Sequence, residues 1–253
     1  MQGKHIEAPH LPKNIVKYAL VDYRIDEEIV KVLEEQGISL ISTVACNELY
    51  EAVKGHPDMV VQHLGGGDIL VAPNLMQYYQ SKLESLGFRV FAGKTYLKSN
   101  YPDNIAYNIC RVGNYVIHNF KYTDEVLLNY LQKRNFVQIH VAQGYTKCSV
   151  VVVDKKAIIT SDHGIHQEVV KFGIDSLLIA KGGILLPGVN YGFIGGACGY
   201  LDQETLGFYG NIVLHEDYEK ICFFLKKYNK KARSLSSKNL QDYGTLIPLI
   251  EMD

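Results

Sequence analysis

Residues 191–202 read Y-G-F-I-G-G-A-C-G-Y-L-D and hold one cysteine, Cys198, among the glycines Gly192, Gly195, Gly196 and Gly199. A thiol is a strong nucleophile once deprotonated, and glycines allow bends and close approaches that side chains would block. The pattern points to a thiol in a ligand-accessible bend; the competing structural reading is a bulged strand with a small buried thiol. Cys148, in G-Y-T-K-C-S, is the second candidate nucleophile, because the charge of the adjacent Lys147 lowers a thiol pKa. His56-Pro57-Asp58 reads from residue types as a turn into a strand, and Tyr101-Pro102-Asp103 repeats it. Such a shared corner would bring Asp58 and Asp103 near one another. Gly65-Gly66-Gly67-Asp68 reads as a hairpin with a bulge, not a phosphate loop, since no G-K-[ST] follows. His163 and His166 lack the H-E-x-x-H pattern of a zinc helix and read as a surface helix start.

The elements that must position these groups follow from the rest of the chain. At 253 residues and 47% hydrophobic content, one large core is expected. Lys+Arg 26 against Asp+Glu 27 leaves a net charge of -1, which gives no global reason to bind nucleic acid or an anionic membrane. The five cysteines include no Cys-x-x-Cys pair, so neither a disulfide framework nor a cysteine metal site is expected, and a reducing, cytoplasmic compartment is. No signal-peptide h-region or membrane-length apolar run is present, so a soluble protein is expected, and no cofactor is implied.

From residue 18 the pattern repeats with a period of roughly 45 residues. A strand, an amphipathic helix stopped by Gly or Asn, and a second strand are predicted over 19–21, 26–36 and 38–41, and the pattern recurs around helices ending at Gly87, Asn135 and Gly173. A fifth copy has a strand over 211–214 and a helix over 218–228. The later units open with an additional strand, over 59–62, 105–108, 149–153 and 196–201, whereas the first lacks one and 244–253 is a strand without a unit. The economical arrangement pairs that last strand into the first unit and seals a ring; the competing arrangement is an open doubly wound sheet with an antiparallel edge. Unit limits fall near 17–55 with 244–253, 56–100, 101–143, 144–190 and 191–243, all in one domain.

Five ββαβ units with H-P-D-M-V-V, L-G-G-G-D-I-L-V and G-G-A-C-G resemble the pentein fold of the guanidino-group-modifying enzymes, and more closely its bacterial members without an assigned reaction. The resemblance implies an α/β propeller of five blades with pseudo-fivefold symmetry, closed by the C-terminal strand. It also implies deiminase- or amidinotransferase-like chemistry on a small guanidine or amidine. Carried over to this chain, Cys198 is the nucleophile, His56 the proton shuttle, and Asp58, Asp68 and Asp103 hold the substrate. Gly65 stands where many members carry the acid of E-G-G-D, which leaves that acid to Asp103 or Asp162. A second class follows from the same fold: a non-catalytic binding protein, comparable to its ribosome anti-association factor. Such a protein would use the axial pocket or the basic run Lys226, Lys227, Lys230, Lys231 and Arg233, which otherwise reads as a solvated helix end. Cys222 reads as core.

Overall fold

A computed structural model describes residues 3–253. The chain begins with β1 (Lys4–His5), β2 (Val16–Val21), α1 (Glu27–Glu35) and β3 (Ser39–Ser42). Next come α2 (Pro57–Val60), β4 (Val61–Gly65), β5 (Asp68–Val71), α3 (Met76–Glu84) and β6 (Arg89–Ala92). They are followed by β7 (Cys110–Val112), β8 (Tyr115–His118), α4 (Glu125–Lys133) and β9 (Val137–His140). Then come α5 (Thr146–Ser149), β10 (Val150–Asp154), β11 (Ala157–Thr160), α6 (His163–Val170) and β12 (Asp175–Leu178). After β13 (Ile184–Leu185) stand β14 (Cys198–Tyr200), β15 (Thr205–Phe208), α7 (Tyr218–Lys227) and β16 (Lys231–Ser234), then β17 (Leu240–Gln241) and β18 (Ile247–Glu251).

One pairing rule recurs. The first strand of a unit lies antiparallel to the second, and the second lies parallel to the third across a helical connection, in β4-β5-β6, β7-β8-β9, β10-β11-β12 and β14-β15-β16. At the N-terminus β18 takes the first place, antiparallel to β2, and β2 runs parallel to β3. These five sheets are separate, and a parallel β13-β17 pair makes a sixth, so the described residues contain no continuous open sheet.

Local sequence explains the units. Asp26, Asp124 and Asp162 cap α1, α4 and α6 through side-chain acceptors. Just beyond the ends of α1, α3, α4, α6 and α7, the chain reverses through Gly37, Gly87, Asn135, Gly173 and Asn229, all at positive φ. Burial falls off across each unit: β4, β5, β10 and β11 are almost wholly buried, whereas β3 and β6 are largely exposed. First strands therefore form the core and third strands the rim.

Three expectations need correction. The opening strands start later than predicted, because Pro57 starts a helical turn at 57–60 and a similar turn occupies 146–149. Hydrophobicity alone reads Met59 and Val60 as strand, although both are buried in that turn. Residues 212–214 form a 3-10 turn held by the Asn211 side chain, and β15 takes the strand position expected there. Cys222 is half-buried on α7, not core. No helix among the described residues is long and apolar enough to cross a membrane.

Two buried imidazoles give the fold an acid limit. Burial lowers His63 to about 4 and His118 to about 3, so both are neutral in the folded protein at neutral pH. The unfolded chain takes up these protons once the pH drops below about 6.5. Stability is therefore present above that value and lost as the pH falls toward the folded pKa values, by roughly 1 kcal/mol per pH unit for each group. Denaturant titrations at pH 7 and pH 5 will show a lower midpoint at pH 5; equal midpoints would contradict the burial assignment.

Candidate active site

The turns that precede the inner strands converge. Asp58 (before β4), Asn108 (before β7), Cys148 (before β10), Gly195 (before β14) and Thr245 (before β18) are joined by one hydrogen-bond network. The Cys148 thiol donates to Asp58 Oδ2 at 3.2 Å and accepts from Asn108 Nδ2 at 3.1 Å. Asp58 Oδ2 also accepts from the Thr245 backbone N–H at 3.1 Å. The Thr245 hydroxyl lies 2.8 Å from both Asp58 Oδ2 and the Gly195 carbonyl, and accepts from Lys147 Nζ at 2.9 Å. Asn108 Oδ1 receives the backbone N–H groups of Lys147 and Cys148, which fixes the turn carrying the thiol.

His56 stands over this network with an Nδ1 to Asp242 Oδ1 separation of 3.8 Å. One ligand atom from each of His56, Asp58 and Cys148 lies within 4.8 Å of the other two. Both His56 nitrogens and Asp58 Oδ1 are buried and have no hydrogen-bond partner. A buried polar atom left unpaired is costly, so the unpaired atoms on His56 and Asp58, two residues apart beside the thiol, mark a place where something polar would be stabilised. Asp242 is fixed by the backbone N–H groups of Phe193 and Gly244. It also lines a cavity of about 260 Å³ with Arg24, Glu51, Leu186, Gln241 and Tyr243, so it belongs to both the cavity and the cluster.

The electrostatics favour a cation. Burial, followed by the charges of Asp58 and Asp242, holds the Cys148 thiol well above its ordinary pKa. Burial also raises Asp242, against the opposing charge of His56. The protein alone therefore keeps the thiol neutral, and a cation placed between the carboxylates would remove that penalty. Tyr50 and Tyr145 lie close enough to Cys148 that its charge adds to the burial raising their pKa values, and the Tyr145 ring is 6.2 Å from that of Phe193, so part of the tyrosine content surrounds the site.

The structure separates the residues that the sequence grouped. His56 and Asp58 lie together. Cys198 lies outside their cluster; its Sγ is 4.0 Å from the Gly195 carbonyl, and burial pushes its thiol up to about 12. Asp68 pairs with Arg89 and Arg134, and exposed Asp103 pairs with Lys98. Asn108, not Asp103, joins Asp58 at the network. The basic run turns toward its own chain, with Lys227 on Asp175, Lys230 on the Gln203 carbonyl and Arg233 on Gln36. Asn108, Asp242 and Thr245 carry no motif, yet Asn108, Cys148 and Thr245 each stand two residues ahead of an inner strand. Aligning the units on those strands would have selected them.

The glycines around Cys198 serve packing. A Cβ on Gly195 would lie 2.4 Å from the Val150 carbonyl, and one on Gly196 would lie 2.0 Å from Asp242 Oδ1. Gly195→Ala should therefore cost about 3 kcal/mol through forced backbone displacement. A thermal midpoint unchanged from wild type would show that the turn has room to spare.

A family model described as "Family of unknown function (DUF6873)" matches residues 20–247. A search of curated proteins found no match. Among solved structures, the chain is similar to the inosamine-phosphate amidinotransferase StrB1 of Streptomyces griseus, with a TM-score of 0.57, 10% identity, and coverage of 95% of this chain and 94% of that one. It is similar to the agmatine deiminase of C. jejuni, with a TM-score of 0.52, 11% identity, and coverage of 92% and 91%. It is also similar to a DDAH of Pseudomonas aeruginosa complexed with citrulline, with a TM-score of 0.55, 9% identity, and coverage of 90% and 93%.

Proposed function

Because the chain belongs to the family of unknown function DUF6873 and has the fold of the pentein superfamily, a premise that brings a scaffold but no reaction, we propose from its site that it modifies a small guanidine or amidine through Cys148. The observation that carries the reading is the buried trio of His56, Asp58 and Cys148 with unpaired polar atoms on His56 and Asp58. The five sheets are read as blades around the axis where the trio lies, with the unit limits set out from the sequence.

In this reading Asp58 and Asp242 hold the planar cation, as carboxylates do for guanidinium groups. Its charge offsets the repulsion that keeps the Cys148 thiol protonated, and the thiol proton passes to His56. The thiolate attacks the guanidinium carbon and forms a C–S bond. The adduct collapses by breaking a C–N bond, and His56 returns its proton to the departing nitrogen. Water or an acceptor amine then attacks the amidino carbon, the C–S bond breaks, and the thiol is restored. The nucleophile is thus Cys148 in place of Cys198. The five free thiols fit a reducing compartment such as the cytoplasm.

The decisive experiment is treatment of the native protein with a haloacetamidine, a planar cation bearing a leaving group, followed by mass spectrometry. Stoichiometric labelling of Cys148, suppressed by a guanidine ligand, supports the reading; labelling elsewhere or nowhere sinks it. A second reading, a pentein-type binding protein without catalysis, is favoured by the depth of the thiol, 2% exposed. In that case guanidines would shift the thermal midpoint while Cys148 stays unlabelled.

A further inference from the structure

We propose that His56, Asp58 and Cys148 also form a binding site for a zinc-class divalent cation, which masks the thiol. This inference rests on the reading of Cys148 as the reactive thiol. The donor set is thiolate, imidazole and carboxylate, a combination suited to Zn²⁺ and Co²⁺ rather than to the all-oxygen preferences of Mg²⁺ and Ca²⁺. Donor atoms around a tetrahedral ion stand about 3.5 Å apart. Cys148 Sγ and Asp58 Oδ2 are already 3.2 Å apart, and the full set fits within 4.8 Å. Side-chain movement of about 1 Å would close it on an ion.

Two independent features support the site. The His56 nitrogens and Asp58 Oδ1 are buried and unpaired, so an ion would satisfy one imidazole nitrogen and a carboxylate oxygen that the protein leaves open. Asp242 Oδ1 stands 3.8 Å from His56 Nδ1, so a small shift would make the carboxylate–imidazole hydrogen bond that orients the opposite ring nitrogen, Nε2, toward a metal. Charge balances as well: the ion displaces the thiol proton to solvent, and the thiolate with the Asp58 carboxylate neutralises its two charges. A fourth position is left for water or a small ligand. An occupied thiolate cannot attack carbon, and the ion competes with a guanidinium for Asp58.

The test adds Co²⁺ to chelator-treated full-length protein and reads the thiolate-to-cobalt charge-transfer absorption. The expected result is one ion per chain, displaced by Zn²⁺, with the band kept in Cys198→Ser and lost in Cys148→Ser. Asp242→Asn should bind about 10- to 100-fold more weakly. No band in folded wild-type protein, or a band that persists in Cys148→Ser, overturns the proposal. If Cys148→Ser does not fold by circular dichroism, His56→Gln replaces it, and unchanged Co²⁺ affinity overturns the proposal equally. Haloacetamidine labelling of the metal-free protein separates this inference from the functional one. Labelling without a cobalt band removes only the metal site, and a band without labelling removes only the chemistry.

Discussion

Cys148→Ala should lower turnover of any guanidine substrate by at least about 10³-fold, because loss of a covalent nucleophile removes the reaction path and not merely a binding contact. Cys198→Ala should leave turnover within about twofold, at a stability cost of about 1 kcal/mol for a lost buried group. The contrast follows from surroundings. Cys148 Sγ touches Asp58 and Asn108 beside His56, whereas the contact of Cys198 Sγ is a carbonyl at 4.0 Å. Steady-state kinetics on the two variants, with thermal midpoints as the folding control, decides the matter. Equal losses in both, or a greater loss in Cys198→Ala, would remove Cys148 from its role. The pH dependence has a definite sign. The Cys148 pKa is raised in the folded state, so its contribution to stability is complete below the ordinary thiol value of about 8.5 and lost as the pH rises through the folded value. Alkylation of the ligand-free protein by neutral iodoacetamide should accordingly be slow at neutral pH and accelerate as the pH rises.

Asp58→Asn should move two rates in opposite directions. Removing a charge that raises the thiol pKa increases the thiolate fraction about tenfold for each unit the pKa falls, so iodoacetamide alkylation of Cys148 should accelerate by about that factor. Guanidine turnover should fall by at least about 10²-fold, because the carboxylate that would hold the cation is gone. A purely structural Asp58 would slow neither process selectively. Parallel alkylation and turnover measurements on one preparation test this, with circular dichroism as the folding control because unfolding also exposes the buried thiol; unchanged alkylation in the folded variant would show that Asp58 does not hold the thiol pKa up. Asp58→Ala should cost about 3 kcal/mol, since the Thr245 N–H and hydroxyl lose a charged acceptor in a buried setting.

How far these sites are legible in the sequence depends on the range of the forces that set them. Helix stops at Gly37, Gly87 and Gly173 were readable because positive φ is a local demand met by glycine. The first pairing partner of β2 was readable because 244–253 was a strand without a unit, and it pairs there. Residues 59 and 60 of the turn at 57–60 were misread as strand, since the hydrophobic pattern of Met59 and Val60 reports burial and not backbone path. Glycine crowding near Cys198 looked like access for a ligand, and the close approaches prove to be to Val150, Asp242 and Leu246. Both functions require absent side chains, so spacing cannot separate them.

The sequence by itself determined the repeated unit, its helix caps and stops, and the pairing of His56 with Asp58 across two residues. Only the tertiary structure decided which thiol stands beside them. Cys148 lies 90 residues beyond Asp58 in the chain, and Thr245 lies 187 residues beyond it. Contacts of that separation arise from how five sheets meet, through the packing of buried inner strands. Local sequence specifies each unit through dihedral preference and hydrophobic period, while the meeting of their turns depends on the summed geometry of the whole core, to which no single segment refers.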